Sequence, residues 1–119
     1  MKRKKSAILR KIDLAETMWL FVLFDIPRTT KKQRFYASQF RQRLLSRGFT
    51  MMQFSVYIRH CGTTPYTNTI ARFVMHSVPP EGKVSIIRIK DKQFGKIQTF
   101  HKAKKSEVKA PQQRQLALF

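Results

Sequence analysis

Apolar residues first run together at Trp19-Leu20-Phe21-Val22-Leu23-Phe24 and stop at Asp25, with Ile26 and Pro27 behind it. A run that short, bounded by proline, predicts a strand buried on both faces. It leaves Asp25 at the strand's carboxyl end, where open α/β sheets tend to place their chemistry. The period then changes. Thr29 or Thr30 can cap a helix that ends at Arg47, with Tyr36, Ala37, Phe40 and Leu44 on its buried face. Gly48 follows as the residue that closes it. From residue 49 to 61 the pattern alternates, with Phe54, Val56 and Ile58 set against Ser55, Tyr57 and Arg59. The stretch 50–53 is either the start of that strand or a separate short strand folding back near Gln53-Phe54. No Asn-Gly or Asp-Gly turn marks the point.

Thr64 as N-cap and Pro65 at the first helical position predict a second helix, with Tyr66, Ile70, Phe73 and Val74 on its inner face. Val78-Pro79-Pro80-Glu81-Gly82 stops it. Residues 83–90 form another strand by their Val and Ile content, and residues 95–101 read as one more short strand. With the middle pair counted as two strands, the order is βαββαβ. That is the α+β, ferredoxin-like arrangement of two helices on an antiparallel sheet, here with extra C-terminal strand content. The domain is assigned to residues 18–101. Residues 1–17 are a basic extension opening on Lys2-Arg3-Lys4-Lys5, and both a docked helix and a disordered arm fit it. Residues 102–119 are a basic linker ending in Leu116-Ala117-Leu118-Phe119, whose apolar character suggests docking.

Charge changes the picture most. Among 119 residues, 25 Lys and Arg stand against 6 Asp and Glu, a formal net charge of +19. Self-repulsion of that size favours a polyanionic partner, and nucleic acid is the first candidate because neutralising its phosphates releases counterions. A single cysteine, Cys61, excludes an internal disulfide and a multi-cysteine zinc site. The sequence shows no membrane-length apolar segment and no secretory signal, which together fit a cytoplasmic protein. Of the six acids, Asp25 is the only one between Glu16 and Glu81. Arg28, Lys31, Lys32 and Arg34 sit just beyond it at a helix start whose dipole favours anions, and Arg41 extends the basic surface. This group is the candidate phosphate-contact cluster, suited to a nucleic-acid backbone rather than to base edges. His60, His76 and His101 are dispersed and read as solvated or packed; no Ser/His/Asp or Cys/His set and no Gly-rich phosphate loop is present.

An ordered set of motifs resembles a known family. A strand ending Phe24-Asp25-Ile26-Pro27 is followed by a basic helix, then Gly48-Phe49, then Gln53-x-Ser55-Val56-Tyr57, then Pro79-Pro80-x-Gly82 before a Val/Ile strand. The chain is similar over residues 18–101 to the second of the CRISPR-associated spacer-acquisition proteins, Cas two, and Gln93-Phe94 resembles the versions that accompany Cas9-type systems. The resemblance implies a symmetric homodimer of ferredoxin-like protomers, with Gln53 and Ser55 straddling the reversal between strands two and three. It also implies a C-terminal strand that pairs with the partner's sheet. It further implies that the dimer bridges dimers of the Cas one integrase and holds double-stranded DNA during spacer acquisition. Some members of the family are also metal-dependent nucleases on RNA or DNA, with the strand-one Asp as the metal residue, and that role carries over to Asp25 alone. One carboxylate per chain is too few for a stable site, so the expectation is a Mg2+ shared by two Asp25 side chains across the dimer. The structural alternative is an Asp25 hydrogen-bonded to its loop or paired with Arg28. The rival functions are a free-standing metal-dependent endoribonuclease acting on single-stranded RNA with Asp25 as its catalytic residue, and a non-catalytic RNA-binding module. The second of these lacks its expected Lys/Arg-Gly-aromatic pattern here.

Overall fold

The computed structural model of the chain describes residues 17–102. Its elements are β1 (Met18–Asp25), α1 (Lys31–Ser46), β2 (Thr50–Gln53), β3 (Val56–Gly62), α2 (Thr64–His76), β4 (Lys83–Lys90) and the short α3 (Asp91–Phe94). The four strands form one sheet in the order β2-β3-β1-β4. Every neighbouring pair is antiparallel. The expected βαββαβ order is therefore present, with 50–53 a strand of its own. The α1 crossover carries the chain past one strand's width, and β3 fills the slot between β1 and β2.

The alternation of β1 sorts its side chains between two apolar clusters. Leu20 and Val22 point into the main core under both helices, with Ala37, Phe40, Leu44, Tyr57, Ile70, Ala71 and Val74. Phe21 lies on the opposite face with Ile58 and Phe94, where Trp19, Leu23, Met52, Val56 and Ile89 pack partly buried. Burying each such side chain fully contributes about 1.5–3 kcal/mol, which is why an apolar run without polar interruption becomes the central strand.

Helix α1 starts where the sequence places it. Thr30 is the N-cap: its hydroxyl accepts from the Gln33 amide at 3.1 Å, and Gln33 Oε1 accepts from the Thr30 amide at 3.0 Å. The helix ends in a double reversal, with the Gly48 amide donating to Leu45 and the Phe49 amide to Leu44, both at 3.1 Å. Gly48 holds φ +84°, and Arg59 lies over it with Nε donating to the Arg47 carbonyl at 2.6 Å. The β2–β3 turn is Phe54-Ser55, with Ser55 at φ 64° despite being neither Gly nor Asn. Its carbonyl accepts from the Phe24 amide at 3.1 Å, which ties the turn to β1.

Three expectations differ from the structure. The N-cap of α2 is Thr63 rather than Thr64, because Gly62 at φ +81° turns the chain one residue earlier; Pro65 stays in the first turn, where no amide partner is needed. Tyr66 is 45% exposed instead of buried. Its place in the core is taken by Thr67, whose hydroxyl donates to the Thr63 carbonyl at 2.7 Å, and the Tyr66 ring lies 5.1 Å from the Arg59 guanidinium. Residues 95–101 form no strand. The Asp91 amide donates to the Thr17 carbonyl and Trp19 Nε1 to Asp91 Oδ1, both at 2.7 Å, and the Phe94 ring stacks on Trp19 at 3.7 Å. The chain is thereby folded across the sheet's open face, away from a ladder. The expected C-terminal docking strand and the 1–17 extension lie outside the described residues, except Thr17.

Two outcomes follow from this packing. Replacing Gly48 by Ala forces a left-handed backbone on an L-residue and sets its Cβ 3.1 Å from Arg59 Nε. Thermal unfolding of that variant is expected to show a loss of about 1–2 kcal/mol. Burial pushes the Cys61 thiol above its ordinary value, with a weaker opposing pull from Arg59. The native state then gives up stability as pH rises past the unfolded thiol's value and keeps it fully below, so alkylation of Cys61 at neutral pH is expected only after unfolding.

Candidate nucleic-acid interface

Asp25 closes β1 and faces Lys83 of β4 across the ladder. By the two-residue period of the strand it shares the open face of the sheet with Leu23 and Phe21, not the helix-covered face. Its side chain is exposed and borders an open depression of about 300 Å3, lined also by Leu23, Phe24, Ser55, Val56, Lys83 and Ser85. Among the described residues no hydrogen bond or ion pair occupies its carboxylate, so the expected alternative of a pairing with Arg28 is not what the structure shows.

Arg28, Lys31 and Lys32 are exposed and follow directly on Asp25. The Arg28 guanidinium lies over the Phe54 ring at 5.6 Å, and Lys32 Nζ over Tyr36 at 5.8 Å. Arg34 is differently placed. One of its terminal nitrogens donates to the Arg28 and Thr29 carbonyls at 3.2 and 2.9 Å, bracing the loop that carries the other cations. Gln33 reinforces the same loop from its capping position and donates to Glu81 at 3.3 Å. Arg41 Nε donates to the buried Tyr57 hydroxyl at 2.8 Å. Three of the five predicted cations thus point outward with no hydrogen bond among the described residues, while Arg34 and Arg41 are anchored by one edge of their guanidinium groups.

A groove of about 370 Å3 runs between α1 and the β2–β3 turn. Its walls are Phe24, Ile26, Ala37, Met51 and Phe54, and its polar groups come from Arg28, Ser38, Arg41, Ser55 and Tyr57. Sequence reasoning missed this groove and missed Phe54 as a surface group, placing it by alternation alone. The available signal was a bulky aromatic at the chain reversal itself, Gln53-Phe54. Lys83, the cross-strand neighbour of Asp25, was also missed, since register is not readable before strand order is known.

Among the described residues no three His, Cys, Asp or Glu side chains cluster. One chain therefore offers a lone exposed carboxylate. That does not make a zinc site, which needs three or four ligands. It does fit Mg2+, which is held by one or two carboxylates together with water and phosphate oxygens. Neither His60 nor His76 brings a base to Asp25: His60 sits edge-on to Trp19 at 5.1 Å, toward the other end of β1, and His76 lies in the last turn of α2. Among the described residues no helix is long and apolar enough to cross a membrane.

Comparison with known proteins adds a family. The family model described as CRISPR associated protein Cas2 matches residues 18–97. A protein of Flavobacterium psychrophilum named CRISPR-associated endoribonuclease Cas2 is 39% identical over 109 residues, covering 92% of this chain and 94% of that protein. Its namesake in Paracidovorax avenae is 42% identical over 97 residues, covering 81% of this chain and 90% of its own length. The one in Parvibaculum lavamentivorans is 39% identical over 100 residues, 83% of this chain and 99% of its own.

Proposed function

Because the chain belongs to the Cas2 family of CRISPR-associated proteins, we propose that it is an adaptation subunit: a symmetric homodimer that binds duplex DNA through its phosphates and bridges Cas one integrase dimers during spacer acquisition in the cytoplasm. The observation that carries this reading is the braced loop and helix start. Arg28, Lys31 and Lys32 stand exposed on a backbone fixed by Arg34 and by the Thr30–Gln33 capping box. A duplex is matched by rigidly spaced cations that touch phosphate oxygens and read no base. Two copies of the loop, related by a two-fold axis, would track the backbone on either side. The half-buried Leu23 and Val56 and the 45% exposed Ile87 favour the open face of the sheet as the surface that meets a second copy. That geometry would bring two Asp25 side chains toward each other.

A second reading has its own support. The Asp25 carboxylate is exposed, without a partner among the described residues, and borders a depression beside the cationic loop. Curated relatives bear the name endoribonuclease. On this reading the dimer also cleaves phosphodiesters, with RNA as the first substrate class. Asp25 from each protomer would hold a shared Mg2+, which when bound stabilises charge on a phosphoryl oxygen and makes water a better nucleophile. Arg28, Lys31 and Lys32 would hold the flanking phosphates. Lys83, opposite Asp25, offsets the repulsion between an approaching phosphate and the carboxylate.

One gel series separates the two. Labelled duplex DNA and single-stranded RNA are incubated with wild type and Asp25→Ala, in Mg2+ or EDTA. The adaptor reading expects equal duplex shifts for both proteins. The nuclease reading expects Mg2+-dependent cutting that Asp25→Ala abolishes, and cutting that survives the substitution overturns it. Alanine at Arg28, Lys31 and Lys32 together is expected to weaken duplex binding and to lower the salt slope by about one for each cation removed. An unchanged slope would sink the phosphate-contact assignment. Deleting residues 115–119 is expected to reduce dimer mass in light scattering or capture of the integrase; if neither changes, the C-terminal docking idea fails.

A further inference from the structure

Phe54 is the most conspicuous group that the phosphate contacts leave unused. It occupies the two-residue reversal between β2 and β3, and its ring is 75% exposed. A solvent-facing aromatic at that position packs against little of its own chain, so folding does not explain it. Arg28 lies over the ring at 5.6 Å, near enough for a cation–π contact. The groove behind the ring is closed by Phe24 and Met51 and floored by Tyr57. Its polar edge carries Arg41, which is held in place by the 2.8 Å bond from Nε to the Tyr57 hydroxyl and keeps its other N–H groups for a ligand. No acid lines the groove, and its charged groups are two guanidinium groups. An apolar slot walled by an exposed aromatic ring, with two guanidinium groups at its rim of which Arg41 is held in place, matches a flat, acceptor-rich ring attached to a phosphate.

We propose that this groove seats one unpaired nucleobase of a single-stranded nucleic acid, stacked on Phe54, with Arg28 and Arg41 taking its phosphate and ring oxygens. A base inside a duplex stacks on its neighbours and has no free face to offer, so the site selects unpaired nucleotides. Its place relative to Asp25 gives the selection a consequence. Phe24 and Ser55 border both the groove and the depression that holds Asp25, and the Phe24 amide is bonded to the Ser55 carbonyl at 3.1 Å. A strand anchored by its base at Phe54 would pass its next phosphodiester around the end of the sheet to the carboxylate. Phe54 is thus a positioning residue for single strands, distinct from the loop cations that serve any phosphate backbone. This rests on the reading that the chain binds nucleic acid, and it adds the groove and the residues that receive an unpaired base.

The test uses the full-length protein, titrated by fluorescence anisotropy against a short labelled single strand, as RNA and as DNA, and against a blunt duplex of the same sequence. Phe54→Ala is expected to weaken both single strands by at least about five-fold, as loss of one base–aromatic stack does, while the blunt duplex is unaffected. Phe54→Tyr keeps a ring and is expected to retain binding. A 2-aminopurine placed in the strand should be quenched by wild type and not by Phe54→Ala. Because the side chain is largely outside the core, both variants should melt with wild type. Equal loss on single strand and duplex, or no loss on either with the duplex still bound by wild type, overturns the stacking site and leaves the phosphate-binding reading standing. Wild type that binds none of the three probes overturns the phosphate-binding reading itself.

Discussion

Strand β1 has to satisfy hydrogen bonds on both edges and side chains on both faces at once. Its neighbours β3 and β4 supply the edges, in register from Trp19 to Leu23 on one side, after an irregularity at Met18, and from Met18 to Asp25 on the other. The helices cover Leu20 and Val22, and α3 with Phe94 covers Phe21 on the other face. Each requirement limits the rest. Both helices lie on the face that carries Leu20 and Val22, because their apolar residues Ala37, Phe40, Leu44, Ile70, Ala71 and Val74 are buried there. The hairpin β2–β3 must return beside β1 because an unpaired central strand would bury orphan amides. The carboxyl end of β1 is then the point where the constraints stop, and Asp25, the loop cations and Lys83 collect there.

At that end, residues of the same charge divide into side chains tied to the chain by hydrogen bonds and side chains that are not. Arg34 and Arg41 are no less cationic than Arg28, Lys31 and Lys32, yet each is tied by a hydrogen bond to the chain itself. The division has a physical basis. A loop carrying several like charges is pushed apart by its own repulsion, and a guanidinium bonded to loop carbonyls opposes that while adding to the positive field. The tied arginines hold the geometry, and the untied side chains can adapt to a ligand. Glu81 joins this arrangement by accepting from the Gln33 side-chain amide at 3.3 Å.

Much of this was legible in the residues. The β1 run, the Thr30 cap, the Gly48 stop and the Val/Ile strand β4 each depend on neighbours in sequence, and periodicity and capping chemistry report such neighbours directly. The separation of β2 from β3 was left open by the residues, because Ser55 adopts the left-handed conformation that Asn-Gly would have signalled. What could not be read depends on distant contacts. Thr67 replaces Tyr66 in the core because a carbonyl is in reach of its hydroxyl. The chain after Lys90 coils because Trp19, 72 residues away, accepts the company of Asp91 and Phe94. The Asp25 position was legible as a strand end, but its freedom from Arg28 was not, since the guanidinium turns instead to Phe54.

The placement of Asp25 is best understood through the charge around it. A chain with net charge +19 draws phosphates to its surface, and at the end of β1 the loop cations and Lys83 concentrate that attraction. A lone carboxylate there opposes the approach of a phosphate and gains nothing from burial or from a hydrogen bond. Stability does not require it: the position is exposed, and Asn would serve a strand end as well. Its presence makes sense where the charge itself is used, to hold a cation against a phosphate or to keep the phosphate backbone at a set distance from the sheet. Either use needs the backbone to be located by other groups first. The braced cations beside Asp25 and the groove under Phe54 are the groups in a position to locate it.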